Sequence, residues 1–164
     1  MKADKYLKSV TDITLPMVRE MGLKGLILDV DNTLTTHGNR EIPAHIKDWL
    51  NYIKTGGIKL ILLSNNSEAR VSAFAERIDI AYVGRAFKPF PFGVKRACAA
   101  MQLETNEAAM VGDQVFTDLL AGKLAGCKSI LLMPIEEEKG RFFAVKRYFE
   151  RRVLKNMKPE ETVK

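Results

Sequence analysis

The chain has 164 residues, enough to bury the core of one domain, and its 46% hydrophobic and 28% charged residues are ordinary for a globular protein. Its net charge of +6 favours acidic partners such as phosphates, anionic lipid headgroups or nucleic acid, without choosing among them. No apolar run approaches the roughly 20 residues that cross a bilayer, and the N-terminus lacks the apolar core of a signal peptide, so we expect a cytoplasmic protein.

Apolar runs and helical patterns alternate along the chain. Residues 1–23 predict a short segment, a break at Pro16 and a helical turn that ends at Gly22. Within the stretch from Lys24 to Leu34, a short apolar run rich in Leu and Ile then predicts a buried strand that ends in Asp29 and Asp31. The elements expected after it are a helix from Pro43 to Gly56, a strand over 59–64, a helix over about 67–78, a weak strand over 81–83, a helix through Val94, Cys98 and Met101, a strand over 108–113, a helix over about 117–125, a strand over 128–132 and a helix over about 141–155.

This alternation predicts an α/β protein with a doubly wound parallel sheet, because strands separated by such helices are joined by right-handed crossovers. No repeat or linker divides the sequence, so we expect one domain over 1–164. Cys98 and Cys127 have no C-x-x-C spacing, and we expect buried free thiols in a reducing compartment. His37 and His45 have no second histidine or cysteine at a metal-ligand spacing, so we expect surface side chains.

Polar side chains follow the ends of several predicted strands. The carboxyl ends of parallel strands meet at one edge of a sheet, and open α/β sheets bind their ligands there. Carboxylate oxygens suit Mg²⁺, and a lysine and hydroxyls beside them suit a phosphate dianion. Phosphoryl transfer needs mainly positioning and charge neutralisation, which these residue types supply. The residues are Asp29, Asp31 and Thr33 after the first strand, Ser64 and Asn65 after the second, Lys88 in the Phe87–Pro89 turn, and Asp113, Thr117 and Asp118 near the strand over 108–113.

Four ordered stretches of the sequence resemble the motifs of the haloacid dehalogenase superfamily. They are Asp29-Val-Asp31-Asn-Thr33-Leu, Ser64-Asn-Asn, Phe87-Lys88-Pro and Gly112-Asp113-Gln-Val-Phe-Thr-Asp118. Their wording is similar to subfamily IIIA, and most similar to the YqeG-type phosphatase family, over about residues 15–149. The resemblance implies a Rossmann-like core. Members of the superfamily often carry an inserted cap domain, but the intervals 35–58 and 66–87 leave no room for one, so we expect an uncapped or minimally capped site.

The resemblance also implies a role for each motif residue. Asp29 would be the nucleophile that forms an aspartyl-phosphate, and Asp31 would protonate the leaving oxygen and then activate the attacking water. Mg²⁺ would be held by Asp29, the backbone carbonyl of Asp31 and Asp113, while Asp118 would support the metal's waters or orient Lys88. The phosphate would be contacted by Thr33, Ser64, Asn65 and Lys88, and Ser64 and Lys88 would also take part in catalysis.

Each of these residues, taken singly, has an ordinary structural explanation. Ser64 is a common helix N-cap or turn residue, and Lys88 is a common surface cation. Asp113 and Asp118 could cap the following helix, whose N-terminal dipole favours acids. Thr33 and Asn65 could form local hydrogen bonds in their loops. Only the joint convergence of these residues on one sheet edge favours a site.

The segment 139–158 predicts a basic amphipathic helix. Such a helix packs on the sheet with a solvated basic face, or it lies on an anionic membrane surface, and the sequence leaves both arrangements open. Its apolar positions are Phe142, Phe143, Val145, Phe149, Val153 and Leu154, and Glu150 stands alone as an acid among its lysines and arginines.

The function expected is Mg²⁺-dependent hydrolysis of a phosphomonoester. YqeG-type proteins are similar to phosphatidylglycerophosphate phosphatases, so this anionic phospholipid is the first substrate expected, with peripheral membrane contact through 139–158. A phosphatase for a soluble sugar phosphate or nucleotide is one alternative. A non-catalytic partner of a GTPase or ribosome-associated factor is another, although clustered carboxylates argue against it. No specific nucleic-acid site is predicted, and the oligomeric state cannot be read from the sequence.

Overall fold

The computed structural model describes residues 1–36, 38–137 and 139–161, apart from the side chain of Phe143, so His37 lies outside the described residues. Six parallel strands form one sheet in the spatial order β1-β6-β5-β2-β3-β4. The strands are β1 (Lys5–Leu7), β2 (Gly25–Leu28), β3 (Lys59–Leu63), β4 (Ala81–Val83), β5 (Ala108–Gly112) and β6 (Lys128–Leu132). The helices are α1 (Leu15–Glu20), α2 (Ala44–Thr55), α3 (Glu68–Ile78), α4 (Phe92–Ala100), α5 (Leu120–Ala125) and α6 (Arg141–Leu154).

The central strand β2 lies between β3 and β5 and is covered on both faces. Leu26, Ile27 and Leu28 are fully buried, as a parallel sheet between two helical layers requires. Because side chains alternate along a strand, Leu26 and Leu28 join the core beneath α1, α2 and α3, whereas Ile27 joins the core beneath α4 and α5. The doubly wound α/β fold predicted from the sequence is therefore confirmed.

The intervals on either side of β3 contain no cap domain among the described residues. One loop and α2 connect β2 to β3, and α3 and β4 connect β3 to the turn before α4. The weak strand expected over 81–83 is formed as β4, at the edge of the sheet. The carboxyl edge of the sheet is consequently left open above β2.

The sequence pattern did not predict the edge strand β1. Its three residues are too few to show an alternation of apolar and polar side chains. Its position depends on distant residues, because it pairs with β6 and the Tyr6 carbonyl accepts a hydrogen bond from the backbone N–H of Glu160 at 2.7 Å. Long-range pairing, rather than local propensity, makes this segment a strand.

The helix expected from about residue 117 begins differently. A π-helical turn over Val115–Leu119 precedes α5, and π-helical turns are frequent at functional sites. Within it, the Asp118 carboxylate accepts a hydrogen bond from the Gln114 backbone N–H at 3.2 Å. A Cβ atom on Gly112 would lie only 2.3 Å from Asp118 Oδ2, so glycine is required there. The wide turn thus seats Asp118 directly against the end of β5.

The two cysteines are buried and free, as expected. Their Sγ atoms lie 3.7 Å apart in the core beneath α4 and α5, a proximity that their spacing in the sequence did not predict. His45 is exposed, also as expected.

The C-terminal helix α6 is packed at one end and exposed along one face. Val153 and Leu154 pack against a small core that contains Leu131 of β6. The side chains left exposed on the helix include Phe142, Val145, Tyr148 and Phe149. Within the described ranges, no helix is long and apolar enough to span a membrane.

Candidate active site

A tight turn follows β2 and carries the first two carboxylates. The backbone N–H of Asp29 still bonds to the Val111 carbonyl of β5 at 2.9 Å, so Asp29 remains fixed to the sheet. Asn32 then adopts φ 58°, in the left-handed region that Asn tolerates better than most residues. Its N–H bonds to the Thr35 carbonyl at 2.7 Å and closes the turn. Asp29 and Asp31 therefore both lie at the carboxyl edge of the central strand.

Lys88 forms two buried ion pairs at this edge. Its Nζ atom donates to Asp29 Oδ1 and to Asp118 Oδ1, both at 2.7 Å, and only 5% of its side chain is exposed. Burial alone would lower the pKa of Lys88, but the charges of Asp118 and Asp29 outweigh it and raise that pKa above its usual value. Lys88 is therefore a cation held between two carboxylates, and the role expected for Asp118, to support the metal's waters or to orient Lys88, stays a prediction.

The backbone of Lys88 is held by Asn65 at the end of β3. The Lys88 N–H donates to Asn65 Oδ1 at 2.8 Å, and Asn65 Nδ2 donates to the Lys88 carbonyl at 3.1 Å. The Lys88–Pro89 peptide bond is cis, and Phe87 has φ 53°. Asn65 thus positions Lys88, and its expected contact with phosphate stays a prediction.

Three buried carboxylates converge beside Lys88. Asp29, Asp113 and Asp118 each place one carboxylate oxygen within 4.8 Å of the others. Burial, followed by the charge of Asp118, raises the pKa of Asp29 to about 7, with Lys88 opposing the shift. Burial, followed by the charges of Asp118 and Asp29, likewise raises the pKa of Asp113 to about 8. The cluster carries more negative charge than Lys88 compensates.

This cluster fits a divalent cation. Mg²⁺ prefers carboxylate oxygens, and the triad offers one from each of three residues. Asp113 Oδ1 is also buried with no hydrogen-bond partner in the part of the chain that the structure describes, a costly state for a carboxylate oxygen. A cation at the triad would satisfy that oxygen and separate the like charges. The sequence predicts Asp29 and Asp113 as ligands. Asp118 was not among them, but its carboxylate oxygen lies close enough to theirs to share a cation.

Asp31 is not part of the triad, and its carboxylate is held by two hydrogen bonds. Asn66 Nδ2 donates to Asp31 Oδ2 at 3.2 Å, and the Gly38 N–H donates to Asp31 Oδ1 at 3.3 Å. Ser64 is buried beside them, and its Oγ accepts the Asn66 backbone N–H at 3.1 Å. The sequence motif Ser64-Asn-Asn contains Asn66, but its pattern did not show which of the two asparagines would reach Asp31.

Thr33 lies behind the nucleophile expected from the sequence. Its Oγ1 donates to Asp29 Oδ2 at 3.5 Å, a long hydrogen bond, and the residue is 2% exposed. In the structure the Thr33 hydroxyl contacts Asp29. The contact with phosphate that the resemblance implies stays a prediction.

Helix α6 contributes residues that the sequence did not assign to the site. Arg147 Nη2 donates to Asp113 Oδ2 at 3.0 Å, and Arg147 Nη1 donates to Glu150 Oε2 at 2.9 Å. Glu150 is 1% exposed, and its Oε1 accepts the Val115 N–H at the start of the π-helical turn, at 3.1 Å. Lys146 Nζ donates to Gln114 Oε1. One clue was present in the sequence, since Glu150 stands alone as an acid on a basic helix, three residues after Arg147.

Two adjoining clefts open at this edge. The smaller has a volume of about 220 Å³, and we name it the catalytic cleft after the role expected from the sequence. It is lined by Asp29, Asp31, Ser64, Asn65, Asn66, Lys88, Gln114, Thr117, Asp118 and Lys146. The larger, of about 420 Å³, extends along α3 and shares Asp31, Ser64 and Asn66 with the first. The structure thus brings the expected residues of all four motifs together, with Asp113 beneath the catalytic cleft and bonded to α6.

Comparisons with known proteins find relatives among hydrolases. The family model of haloacid dehalogenase-like hydrolases matches residues 40–126. A Bacillus subtilis (strain 168) protein named "Probable phosphatase YqeG" is 34% identical over 155 residues, which cover 94% of this chain and 90% of that protein.

Solved structures share the fold at low sequence identity. The 4-nitrophenylphosphatase of Thermotoga maritima matches with a TM-score of 0.59 and 14% identity, over 72% of this chain and 88% of that one. The cobalt-bound deoxy-D-mannose-octulosonate 8-phosphate phosphatase of Haemophilus influenzae matches with a TM-score of 0.53 and 16% identity, over 82% of this chain and 89% of that one.

Proposed function

The chain belongs to the haloacid dehalogenase-like hydrolase family and is a phosphatase, and from that premise we propose that it hydrolyses a phosphomonoester with Mg²⁺ through an aspartyl-phosphate at Asp29. The observation that carries this proposal is the pairing of Asp29 with the buried Lys88 at the floor of an open cleft. A nucleophilic carboxylate needs a fixed position and a nearby positive charge that offsets its repulsion of the phosphate dianion. Lys88 supplies both.

In the proposed reaction, a carboxylate oxygen of Asp29 attacks phosphorus as the bond from phosphorus to the leaving oxygen breaks. Asp31 gives its proton to that oxygen, and the alcohol departs. Water then attacks the aspartyl-phosphate and gives a proton to Asp31, the bond between phosphorus and the Asp29 oxygen breaks, and inorganic phosphate leaves. The hydrogen bonds from Asn66 and Gly38 hold Asp31 where one group can do both tasks.

Asp29, Asp113 and Asp118 would hold the Mg²⁺, together with the backbone carbonyl of Asp31 that the family resemblance suggests. When bound, the cation neutralises charge on the phosphoryl group and on the triad. Lys88 supplies a fixed positive charge next to Asp29 and keeps Asp118 in place. Ser64 lines the same cleft and can donate its hydroxyl hydrogen to a phosphate oxygen.

Phosphatidylglycerophosphate is the substrate we favour, with the protein bound peripherally to an anionic membrane through α6. The support is an open catalytic edge, together with exposed Phe142, Val145, Tyr148 and Phe149 on a helix rich in lysine and arginine. The turn that carries Lys88 is likewise flanked by exposed aromatic side chains, Phe87, Phe90 and Phe92. A surface with apolar and cationic side chains next to an uncapped site suits a phosphate held at a membrane surface.

A phosphatase for a soluble sugar phosphate or nucleotide is the second candidate. The catalytic cleft is small and polar, and nothing in its lining requires a lipid. Turnover of phosphatidylglycerophosphate in anionic vesicles, compared with turnover of soluble phosphomonoesters at equal phosphate concentration, separates the two candidates. A preference for the soluble esters would overturn the lipid assignment.

The test of the mechanism is Asp29→Asn. This variant keeps the shape of the side chain but removes the nucleophilic charge, and we expect hydrolysis of 4-nitrophenyl phosphate to fall by about 1,000-fold or more. Mass spectrometry of rapidly quenched wild-type enzyme should find phosphate on the peptide that contains Asp29. Turnover by Asp29→Asn at the wild-type rate would refute the mechanism, and a non-catalytic partner protein would show no turnover in either form.

A further inference from the structure

The larger cleft that adjoins the catalytic cleft has a strongly cationic lining. Three arginine residues line it, and among its described lining residues Asp31 alone is acidic. In the part of the chain that the structure describes, no ion pair involves any of the three guanidinium groups. The arginines are Arg40, Arg70 and Arg77, and all three residues are exposed.

Helical spacing and loop contacts bring these arginines to one groove. Arg70 and Arg77 are seven residues apart on α3, so they share one face of the helix about 10 Å apart along its axis. Arg77 Nη1 donates to the Arg40 carbonyl at 2.9 Å, and Arg70 Nη2 would lie 3.9 Å from a Cβ on Gly38. The groove therefore runs between α3 and the loop after β2, beginning at Asp31.

The groove lies on the leaving-group side of the site. In the proposed function, Asp31 protonates the leaving oxygen, so the departing alcohol extends past Asp31 and away from Lys88. Asp31, Ser64 and Asn66 form the shared boundary of the two clefts, and the arginines lie beyond that boundary. A substituent on the alcohol would enter the groove directly.

We propose that Arg40, Arg70 and Arg77 form a subsite for a second anionic group, which is carried by the leaving alcohol. The substrate class is then a phosphomonoester whose alcohol also bears a phosphate. Guanidinium groups bind phosphate oxygens through paired, charge-assisted hydrogen bonds, which makes arginine suited to this task. This inference rests on the proposed function, because Asp31 defines the leaving-group side. It applies equally to a phosphodiester within a lipid and to a soluble bisphosphate.

The experiment compares two soluble substrates, propane-1,3-diol bisphosphate and propyl phosphate, which differ only by the second phosphate. We expect the wild-type enzyme to prefer the bisphosphate by about tenfold or more in kcat/KM, mainly through a lower KM. The double variant R70Q/R77Q should bring the two substrates to within about twofold of each other, and added KCl should reduce the wild-type preference. The matched control R19Q, on α1 and outside the lining of both clefts, should keep the wild-type ratio.

Equal kcat/KM for both substrates in the wild-type enzyme would overturn the subsite, and so would an undiminished preference in R70Q/R77Q. Failure of the proposed function itself looks different, because neither substrate would then be hydrolysed in an Asp29-dependent way. A further arm measures phosphatidylglycerophosphate in phosphatidylcholine vesicles with wild type and R70Q/R77Q. If R70Q/R77Q lowers kcat/KM for the soluble bisphosphate but not for the lipid, the subsite serves soluble bisphosphates. If it lowers kcat/KM for both substrates, the subsite also binds the phosphodiester of the lipid.

Discussion

Lys88 shows how one buried side chain can stabilise the fold and serve the reaction together. Its ammonium group separates Asp29 from Asp118, and all three groups are almost fully buried. Removing one member of a buried ion pair leaves an uncompensated charge, which costs more than the pair contributes. The residue that the proposed reaction requires is therefore also one of the two cations that, among the described residues, offset the negative charge of the cluster.

We expect Lys88→Met to lower the free energy of unfolding by about 3–5 kcal/mol in urea denaturation at neutral pH with EDTA present. The double variant Lys88→Met/Asp118→Asn should recover part of that loss, because one of the two stranded charges is gone. If Lys88→Met were as stable as the wild type, the two ion pairs would not hold the site together.

At the residue scale, the sequence could predict the groups that end strands but not the contacts between them. Asp29, Ser64 and Asp113 follow recognisable strands, so the edge at which they meet follows from the topology. The contact between Asn66 and Asp31 spans 35 positions, and it depends on where each loop turns. For the same reason, the pattern could not show that both amide atoms of Asn65 bond to the Lys88 backbone.

Among the elements, α6 links the protein surface to Asp113 and to the start of the π-helical turn. Glu150 accepts the buried Val115 N–H and pairs with Arg147, which in turn bonds to Asp113. The amphipathic pattern predicted a helix over about 141–155, and α6 spans Arg141–Leu154. The pattern could not predict that Arg147 and Glu150 face inward, because a basic helix normally turns its charges toward solvent.

We expect Glu150→Ala to lower the free energy of unfolding by about 1–3 kcal/mol, since the Val115 N–H would lose its buried acceptor. It should also lower kcat, because Arg147 and the π-helical turn would lose their support. Glu150→Gln keeps an acceptor for Val115 and should retain more of both quantities. The matched control Arg151→Ala alters an exposed side chain on the same helix. An unchanged kcat in Glu150→Ala would show that α6 does not position the site.

One carboxylate adds side-chain hydrogen bonds to the backbone pairing between the edge strand β1 and β6. Asp4 Oδ2 accepts hydrogen bonds from the Ser129 N–H at 2.8 Å and from the Ser129 hydroxyl at 2.9 Å. Burial raises the pKa of Asp4. The hydrogen bonds from Ser129 and the nearby Lys123 together lower it by a larger amount, so the net pKa lies below 3.8. A carboxylate with a lowered folded-state pKa stabilises the protein above its unfolded-state pKa, and that stabilisation is lost as the pH falls through the folded-state pKa.

Asp4→Asn should therefore cost about 1 kcal/mol of unfolding free energy at neutral pH, a modest value because Asp4 is partly exposed. The difference between variant and wild type should shrink as the pH falls below the unfolded-state value of 3.8. Urea denaturation at a series of pH values measures this difference. A difference that stays constant down to about pH 2.5 would show that the charge of Asp4 contributes nothing.

For the whole molecule, the parallel sheet brings three buried carboxylates of like charge to one edge. Three carboxylates lie close together and buried, with Lys88 and Arg147 as their ion-pair partners among the described residues. The alternating pattern of strands and helices predicted this edge, because every strand had to deliver its carboxyl end there. How strongly the carboxylates interact could not be read from the pattern, since it depends on burial and on distances between distant segments.

The raised carboxyl pKa values of the triad determine how its metal affinity should change with pH. Burial and the charge of Asp118 raise the pKa of Asp29 to about 7, and burial with the neighbouring acids raises that of Asp113 to about 8. In the metal-free protein, a raised carboxyl pKa favours the folded state fully below the unfolded-state pKa of 3.8, and this contribution is lost as the pH rises through 7 to 8. Metal binding requires the deprotonated carboxylates, so it has the opposite dependence on pH.

We therefore expect Mg²⁺ at about 10 mM to raise Tm more at about pH 8.5 than at about pH 6, by roughly 3–6 °C for each tenfold gain in affinity. Differential scanning calorimetry with NaCl at matched ionic strength as the control isolates specific binding from screening. Asp113→Asn removes one ligand and one of the two raised pKa values, so it should lower the Mg²⁺-induced shift and flatten its dependence on pH. A Tm shift that is equal at both pH values, or larger at the lower one, would place the Mg²⁺ away from the buried triad.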